Sequence, residues 1–165
     1  GMADAVFKVF PKAKYQVCLV HVGRNIAHKV RVEDRQEICE DFKTIHRATD
    51  AEAAEEALGT FCEKWGKSYK KVTQSLLGNP YLLTFYQFPK AIWRSIYSTN
   101  LIESFNKQIK KYTKRKEQFP NEESLERFLV TQFEDYNERF ATRCHIGFNK
   151  AHAALEEMFE SLKSE

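Results

Sequence analysis

Residues 98–116 (STNLIESFNKQIKKYTKRK) hold the side chains that suggest chemistry most directly. A helix that begins near Asn100 would place one carboxylate and a row of lysines on a common face, because residues three and four apart are neighbours on a helix surface. That face comprises Glu103, Lys107, Lys110 and Lys114. Residues 107–116 contain six basic side chains and no acidic one. A carboxylate followed by a basic face suits an enzyme that holds DNA phosphates and positions a metal ion beside one of them.

Both features also have a simpler explanation. With Asn100 as the N-cap, Glu103 is the third helical residue, where a glutamate commonly accepts a hydrogen bond from the backbone N–H of the cap residue. The local sequence on its own favours this capping role for Glu103. The basic residues, in the same way, form an ordinary solvated helix face unless an anionic partner covers them.

Positive charge is concentrated in one part of the chain. The 165 residues have a net charge of +3, but residues 66–120 carry eleven basic and two acidic side chains. Residues 31–65 and residues 121–165 each carry five basic and ten acidic side chains. A surface that binds a polyanion requires such a concentration, although a solvated helix face explains it equally well.

Cys18 and His21 form a second candidate, a Cys-x-x-His pattern. This pattern is half of a zinc site, but the other cysteines and histidines show no matching pair. A buried cysteine and a hydrogen-bonded histidine are therefore the preferred interpretation. Arg24 and Asn25 follow, placed either to reach nucleic acid or to cap the next helix. The four cysteines are expected to be free thiols, since a chain of this size needs no disulfides.

Residues 15–22 (YQVCLVHV) are apolar and β-branched and are followed by Gly23, which predicts a buried strand. Residues 3–10 before it predict a short helix that Pro11 terminates. One strand among many helices leaves its backbone groups unpaired. Its partner strands are therefore expected upstream of this chain.

The remaining chain shows helical periodicity. Asp50 is predicted to cap the helix with the clearest apolar face. Asn79-Pro80 predicts the start of a short helix. Residues 122–140 and the segment from Phe148 predict two long helices. No run of about 18 apolar residues and no secretory signal is visible, so a membrane span is not expected.

Four segments, taken in chain order, carry a family resemblance: GMADAVFKVFPKAKYQVCLVHVGRN, FCEKWGKSY, IYSTNLIESFNKQIKK and EQFPNEESL. They resemble, in turn, the Cys-x-x-His segment, the Glu-Lys-Trp-Gly segment, the Thr-Asn-x-Ile-Glu-Ser motif with its basic helix, and the Phe-Pro-Asn turn of the Mutator-like bacterial transposases. This insertion-sequence group is related to the plant Mutator elements. One such match is weak, and four in the right order at compatible spacing are strong.

The resemblance implies a mainly α chain that is the C-terminal fragment of an RNase H-like α/β catalytic domain carrying a helical insertion. Residues 1–25 would be a helix and strand of the RNase H-like core, and residues 26–97 the all-helical insertion. Residues 98–165 would be the C-terminal helices of that core. The sequence drifts from the family around residues 74–81, where a Trp-containing stretch is expected.

Carried over position by position, the glutamate of the Thr-Asn-x-Ile-Glu-Ser motif is Glu103, the third acidic metal ligand of the family's triad. The signature residues of the family become Cys18, His21 and Asn100. The two aspartates of the triad are expected upstream, because Asp4 does not match either of them.

The resemblance also implies the activity of the full-length protein, which would cut and join DNA strands by phosphoryl transfer with Mg²⁺ or Mn²⁺. With one of three ligands, this chain alone is expected to be inactive and to hold no metal. DNA contacts are expected from the basic side chains Arg24, Lys107, Lys110, Lys111, Lys114 and Arg115.

The implied partners are DNA, as element ends and target, and further copies of the full-length protein. A bacterial, cytoplasmic, nucleoid-associated location is expected. Two other classes stay open, namely a non-catalytic helical DNA-binding or assembly module from a disrupted element, and a helical protein-interaction domain. An upstream reading frame with two suitably spaced aspartates would favour the enzyme. Absent or salt-insensitive DNA binding would favour the interaction domain.

Overall fold

The computed structural model describes residues 1–98 and 100–164, apart from the side chains of Met2 and Ser164. All regular secondary structure in this part of the chain is helical, which confirms the mainly α prediction. The α-helices, in chain order, are α1 (Met2–Val9), α2 (Leu19–Lys29), α3 (Arg35–Arg47), α4 (Ala51–Trp65), α5 (Lys70–Leu77), α6 (Trp93–Ile96), α7 (Asn100–Lys116), α8 (Glu122–Phe140) and α9 (Phe148–Ser164). Two 3-10 turns, Thr84–Gln87 and Lys90–Ile92, connect α5 to α6.

The helices belong to two compact units. The first, here called the helical body, contains residues 1–98 and the chain from Ile146 onward, and so includes α1 to α6 and α9. The second, the helical hairpin, ends at His145 and contains α7 and α8. Each unit has its own packing and is considered separately below.

The core of the helical body lies between α2, α3, α4, α5 and the 3-10 turns. Its largest fully buried side chains are Phe85, Ile38, Ile45, Leu82 and Ile92. The predicted cap of α4 is confirmed, since the Oδ1 atom of Asp50 accepts a hydrogen bond from the backbone N–H of Ala53 at 2.9 Å. Such a cap satisfies one of the N–H groups that the first turn of a helix leaves unpaired.

The predicted strand at residues 15–22 is wrong. Helix α2 already begins at Leu19, and the residues just before it have no regular structure. The apolar positions Leu19 and Ile26 are both buried and lie seven residues apart, which is two helical turns. A run of apolar, β-branched residues therefore serves a buried helix face, and Gly23 continues the helix instead of ending it.

Hydrogen bonds to distant residues hold the segment before α2, where a strand was predicted. The backbone N–H of Val17 donates to the carbonyl oxygen of Tyr81 at 3.2 Å. The amide of Gln16 donates to the carbonyl of Leu82 at 3.0 Å and accepts from the N–H of Phe85 at 2.8 Å. The Val17 bond satisfies a backbone group that the predicted strand would have paired in an upstream sheet, and the Gln16 side chain satisfies backbone groups of Leu82 and Phe85.

The helix predicted to start at Asn79-Pro80 is also absent. The Oδ1 atom of Asn79 accepts a hydrogen bond from the backbone N–H of Tyr81 at 3.0 Å, which closes an Asx turn. Regular structure resumes only with the 3-10 turn that begins at Thr84. The asparagine side chain thus caps a turn and not the first turn of a helix.

Helix α9 returns to the helical body through a tight backbone contact. Gly147 has a φ angle of +90°, and a Cβ atom there would lie 1.9 Å from the carbonyl oxygen of Ala91. Only glycine fits this position without a shift of the backbone. The contact brings Ala151, which is 1% exposed, into the core beside the Lys90–Ile92 turn.

Candidate nucleic-acid interface

Helix α7 begins at Asn100, the start that the sequence analysis predicted. Asn100 is itself the first helical residue, so Glu103 is the fourth. In a capping box the glutamate is the third residue. The position before Asn100 is Thr99, which lies outside the described residues. The capping arrangement expected for Asn100 and Glu103 therefore stays a prediction.

The basic residues of α7 are exposed. Their angular positions centre on the side of the helix that also carries Glu103. None of them forms an ion pair with any acidic side chain in the described parts of the chain. These residues, called here the α7 stripe, are Lys107, Lys110, Lys111, Lys114 and Arg115.

Lys116, the sixth basic residue of the run, has a different environment. Its Nζ atom lies 5.4 Å from the ring centre of Phe128 and 5.8 Å from that of Phe119. Cation–π contacts of this kind tie the end of α7 to the start of α8. The sequence pattern alone groups Lys116 with the other basic residues of α7, although the nearby aromatic residue Phe119 is a signal for a cation–π contact.

Several cations elsewhere in the molecule have acidic partners. Lys64 lies 2.6 Å from Glu37 and 2.7 Å from Asp41. Arg127 on α8 lies 3.3 Å from Glu123. An ordinary solvated helix face mixes acidic and basic residues in this way. The α7 stripe contains no such partner, so its positive charge is available to an anion from outside the chain.

The opposite face of α7 packs on α8. The ring centre of Phe105 lies 4.6 Å from that of Tyr136 and 5.4 Å from that of Phe133. Helix α8 starts with a side-chain cap, in which Asn121 Oδ1 accepts from the N–H of Ser124 at 2.8 Å. The observed limits of α8, Glu122–Phe140, are those the sequence predicted.

This apolar face of the hairpin is incompletely covered. No residue that the structure describes in α7 or α8 is buried. Ile102 is 61% exposed and Phe133 is 44% exposed. A groove of about 260 Å³ runs between the helices, lined by Leu101, Ile102, Phe105, Phe133, Tyr136 and Asn137.

Glu103 is half-buried in the first turn of α7, between the apolar face and the α7 stripe. A carboxylate has the hard oxygen ligands that Mg²⁺ prefers. Within residues 1–98 and 100–164, however, no three His, Cys, Asp or Glu side chains are grouped so that they could hold a metal ion. Glu103 can therefore contribute one ligand to a metal site, but the described residues do not supply a complete site around it.

The second set of candidate residues lies in the helical body, on α2. Cys18 is the residue that precedes this helix, and it is half-buried. His21 and Arg24 are exposed on the side of α2 opposite the buried Leu19 and Ile26. The expected strand-end position is thus replaced by the first turns of a helix. The zinc alternative gains no support, because no metal-binding group includes these side chains among the described residues.

A helix that carries one carboxylate and an unpaired basic face has the features of a protein that acts on a polyanion. The sequence comparisons specify the family. The model of the family "Transposase, Mutator family" matches residues 1–143. The chain therefore belongs to the Mutator family of transposases.

Individual relatives agree with this assignment. The chain is 52% identical over 160 residues to the transposase for insertion sequence element IS905 of Lactococcus lactis subsp. lactis (strain IL1403), covering 97% of this chain and 41% of that relative. It is 50% identical over 137 residues to the transposase for insertion sequence element IS1201 of Lactobacillus helveticus, covering 82% and 37%. The transposase for insertion sequence element ISRM3 of Rhizobium meliloti (strain 1021) is 34% identical over 131 residues, covering 78% and 33%. The chain thus spans about two fifths or less of the length of these curated relatives.

Proposed function

We propose that this chain is the C-terminal part of the catalytic region of a DNA transposase. In this proposal Glu103 is the third acidic metal ligand, and the α7 stripe holds the DNA backbone. The observation that carries the proposal is the position of Glu103, which lies on the same side of α7 as the unpaired basic residues, within a chain of the Mutator family. Arg24 on the exposed face of α2 would add a further phosphate contact.

The incomplete hairpin supports an assignment to a larger, RNase H-like core. Its aromatic residues contact each other but none is buried, which is expected when a further layer covers the face in the full-length protein. In this proposal residues 98–165 belong to that core, and residues 26–97 form a helical insertion. Residues 1–25 would also belong to the core, with α1 and the start of α2 where a helix and strand were expected.

The proposed reaction is in-line displacement at a DNA phosphorus atom by water or by a DNA 3′-hydroxyl. Mg²⁺ or Mn²⁺, held by two upstream aspartates and by Glu103, would stabilise the negative charge on the attacking and leaving oxygens. The residues of this chain would contribute by position and charge. Glu103 would present a carboxylate oxygen from a helix, and the α7 stripe would fix the phosphates beside it. This chain alone would then show neither cleavage nor appreciable metal binding.

The proposed partners are the DNA of the element ends and of the target, with self-association of the full-length protein. Its proposed location is the bacterial cytoplasm, in association with the nucleoid. No helix in the described ranges is long and apolar enough to cross a membrane.

A salt titration of DNA binding tests the DNA-binding part of this proposal. Each phosphate neutralised by a cation releases counterions, so the affinity of this chain for a duplex of arbitrary sequence should fall steeply with salt. Replacing Lys107, Lys110 and Lys114 with alanine should lower the slope of log K against log salt by about 2 to 3, at about 0.9 per lost phosphate contact. An unchanged slope would show that the α7 stripe is only a solvated face.

A non-catalytic DNA-binding module is the second candidate function. The observation in its favour is the α7 stripe, whose unpaired cations would bind DNA phosphates without a metal ion. It predicts the same salt dependence as the transposase, so DNA binding does not separate the two. Cleavage by the full-length protein separates the two functions, because only the transposase requires the Glu103 carboxylate as a metal ligand.

A further inference from the structure

The helical body carries a second cluster of cations that the proposed function does not use. Lys67, Lys70 and Lys71 surround the start of α5 and are exposed. None of the three forms an ion pair or a hydrogen bond through its side chain with any residue in the described ranges. Lys70 and Lys71 lie on the side of α5 opposite the buried Val72 and Leu76.

Hydrogen bonds of the Tyr69 hydroxyl connect the start of α5 to a second basic segment, the chain between α2 and α3. The hydroxyl of Tyr69 accepts a hydrogen bond from the backbone N–H of Arg31 at 3.2 Å and donates one to Asp34. Tyr69 therefore joins the connection between α2 and α3 to the start of α5. Arg31 on that connection lies at this contact, and Lys29, the last residue of α2, precedes it by two residues.

Two acidic side chains, Asp34 and Glu33, lie beside the cations of this surface. The carboxylate of Asp34 accepts the hydrogen bond from Tyr69, and this bond raises the pKa of the Tyr69 phenol. Glu33 lies 3.6 Å from Arg31, with both side chains more than 70% exposed. An ion pair that exposed is worth little and opens readily for a stronger anion. The segment therefore keeps an excess of positive charge.

The neighbouring aromatic side chains decide which form of nucleic acid fits. Single strands are bound mainly by stacking of bases on exposed aromatic rings. Trp65 is only 7% exposed, and Tyr69 packs against it with a distance of 6.0 Å between ring centres. Neither ring is available as a stacking platform, whereas lysine ammonium groups contact phosphates as point charges.

We propose that this surface of the helical body, formed by Lys29, Arg31, Lys67, Lys70 and Lys71, binds the phosphate backbone of duplex DNA without sequence preference. It is a DNA contact additional to the α7 stripe, and it lies in the other unit of the chain. The inference rests on the proposed function only in that the protein must work on DNA.

Fluorescence anisotropy with a labelled 30-base-pair duplex, measured over a salt series, tests this inference on the chain as it exists. The test variant replaces Lys67, Lys70 and Lys71 with alanine. The matched control replaces three exposed lysines of the same unit, Lys8, Lys150 and Lys163, so that the net charge changes equally. Thermal unfolding of each variant verifies that the fold is retained.

The test variant should reduce the slope of log K against log salt by about 2 to 3, and the control should reduce it much less. A test variant that behaves like the control would overturn the inference. The Lys107, Lys110 and Lys114 variant, measured in the same series, separates this failure from that of the proposed function. If only that variant loses slope, the helical body does not contact DNA but the proposed function stands. If the parent chain does not bind the duplex at all, both proposals fail.

Discussion

The helical body and the helical hairpin use their apolar side chains in different ways. The body has a buried core of aromatic and aliphatic side chains, with Phe85 and Ile38 both 0% exposed. The hairpin has Phe105, Phe133 and Tyr136 in mutual contact, yet none of them is buried. Ring contact between two helices is thus not sufficient for a core. A third layer is needed, and the hairpin does not have one within its own unit.

The charges differ in the same way. In the body, Lys64 is matched with Glu37 and Asp41 across α3 and α4. On the hairpin, the cations of the α7 stripe have no acidic partner among the residues described. The body therefore pairs part of its charge internally, although Lys67, Lys70 and Lys71 stay unpaired there among the described residues. The hairpin has the properties of an element that is completed by other molecules or segments.

The largest expected effect is the loss of a body core side chain. Phe85→Ala should reduce the free energy of unfolding by about 3–5 kcal/mol, because Phe85 is fully buried against Tyr86, Trp93 and Tyr97. Urea unfolding followed by circular dichroism measures this change. A loss below about 1 kcal/mol, well under that range, would show that the body core is less complete than its burial indicates.

The matched truncation in the hairpin should be milder. Phe105→Ala removes a ring that is only half-buried, so the loss should be about 1–2 kcal/mol, in proportion to the smaller apolar area withdrawn from water. Hydrogen exchange of the amides of residues 100–140 is the appropriate measurement, since it detects opening of the hairpin separately from the body. Equal losses for Phe85→Ala and Phe105→Ala would remove the contrast between the units.

How much the sequence predicts differs between the same regions. The limits of α8 and the start of α7 were predicted correctly, because their apolar residues recur at helical spacing and Asn121 is a strong cap. The strand at residues 15–22 was wrong, because a short apolar run fits a buried strand and a buried helix equally well. Only the tertiary partners of Gln16 and Leu19 decide between them, and these lie more than 60 residues away.

The candidate site was predicted in part. The spacing of Glu103 and the lysines was enough to place them on one face of α7. Side-chain packing that no local pattern encodes decides two further features. These are the lack of acidic partners around the α7 stripe within the described part of the chain and the cation–π contacts of Lys116 with Phe119 and Phe128. The catalytic role of Glu103 stays a prediction, as does the assignment of Asn100 as a signature residue of the family.

Two helix caps of similar geometry offer a finer comparison. Asp50→Ala in the body and Asn121→Ala in the hairpin each remove one side-chain acceptor for a backbone N–H, at 2.9 Å and 2.8 Å. Each should cost about 1 kcal/mol for its own helix. In global urea unfolding, the Asp50 variant should show this loss fully and the Asn121 variant should show less. The reverse order would indicate that the hairpin and not the body sets the global stability.

The smallest expected effect concerns His46 in the body. Burial lowers the pKa of His46, and the positive charges of Arg47 and Lys43 act in the same direction. Folding therefore favours the neutral imidazole. This contribution to stability is complete above the unfolded pKa of about 6.5 and is lost as the pH falls below it.

Melting temperatures of the parent chain and of His46→Gln, measured from pH 8 to pH 5, test this point. The parent should lose more stability than the variant on acidification, because glutamine takes up no proton. Parallel curves for the two proteins would show that His46 does not contribute to the pH dependence.

The role of Glu103 is the central claim, and cleavage by the full-length protein tests it most directly. The assay measures Mg²⁺-dependent cutting of DNA that carries the element ends, for the parent protein and for Glu103→Gln. Glutamine keeps the size and hydrogen-bonding capacity of the side chain but removes the negative charge that a metal ligand needs. The control is Glu126→Gln, which changes an exposed glutamate on α8 by the same atoms.

The account predicts that Glu103→Gln abolishes cleavage while its melting temperature stays that of the parent, and that Glu126→Gln cleaves normally. A capping role predicts instead that glutamine replaces Glu103 well, because glutamine also serves in capping boxes. Cleavage by Glu103→Gln at a rate near that of the parent would therefore contradict the assignment of Glu103 as a metal ligand.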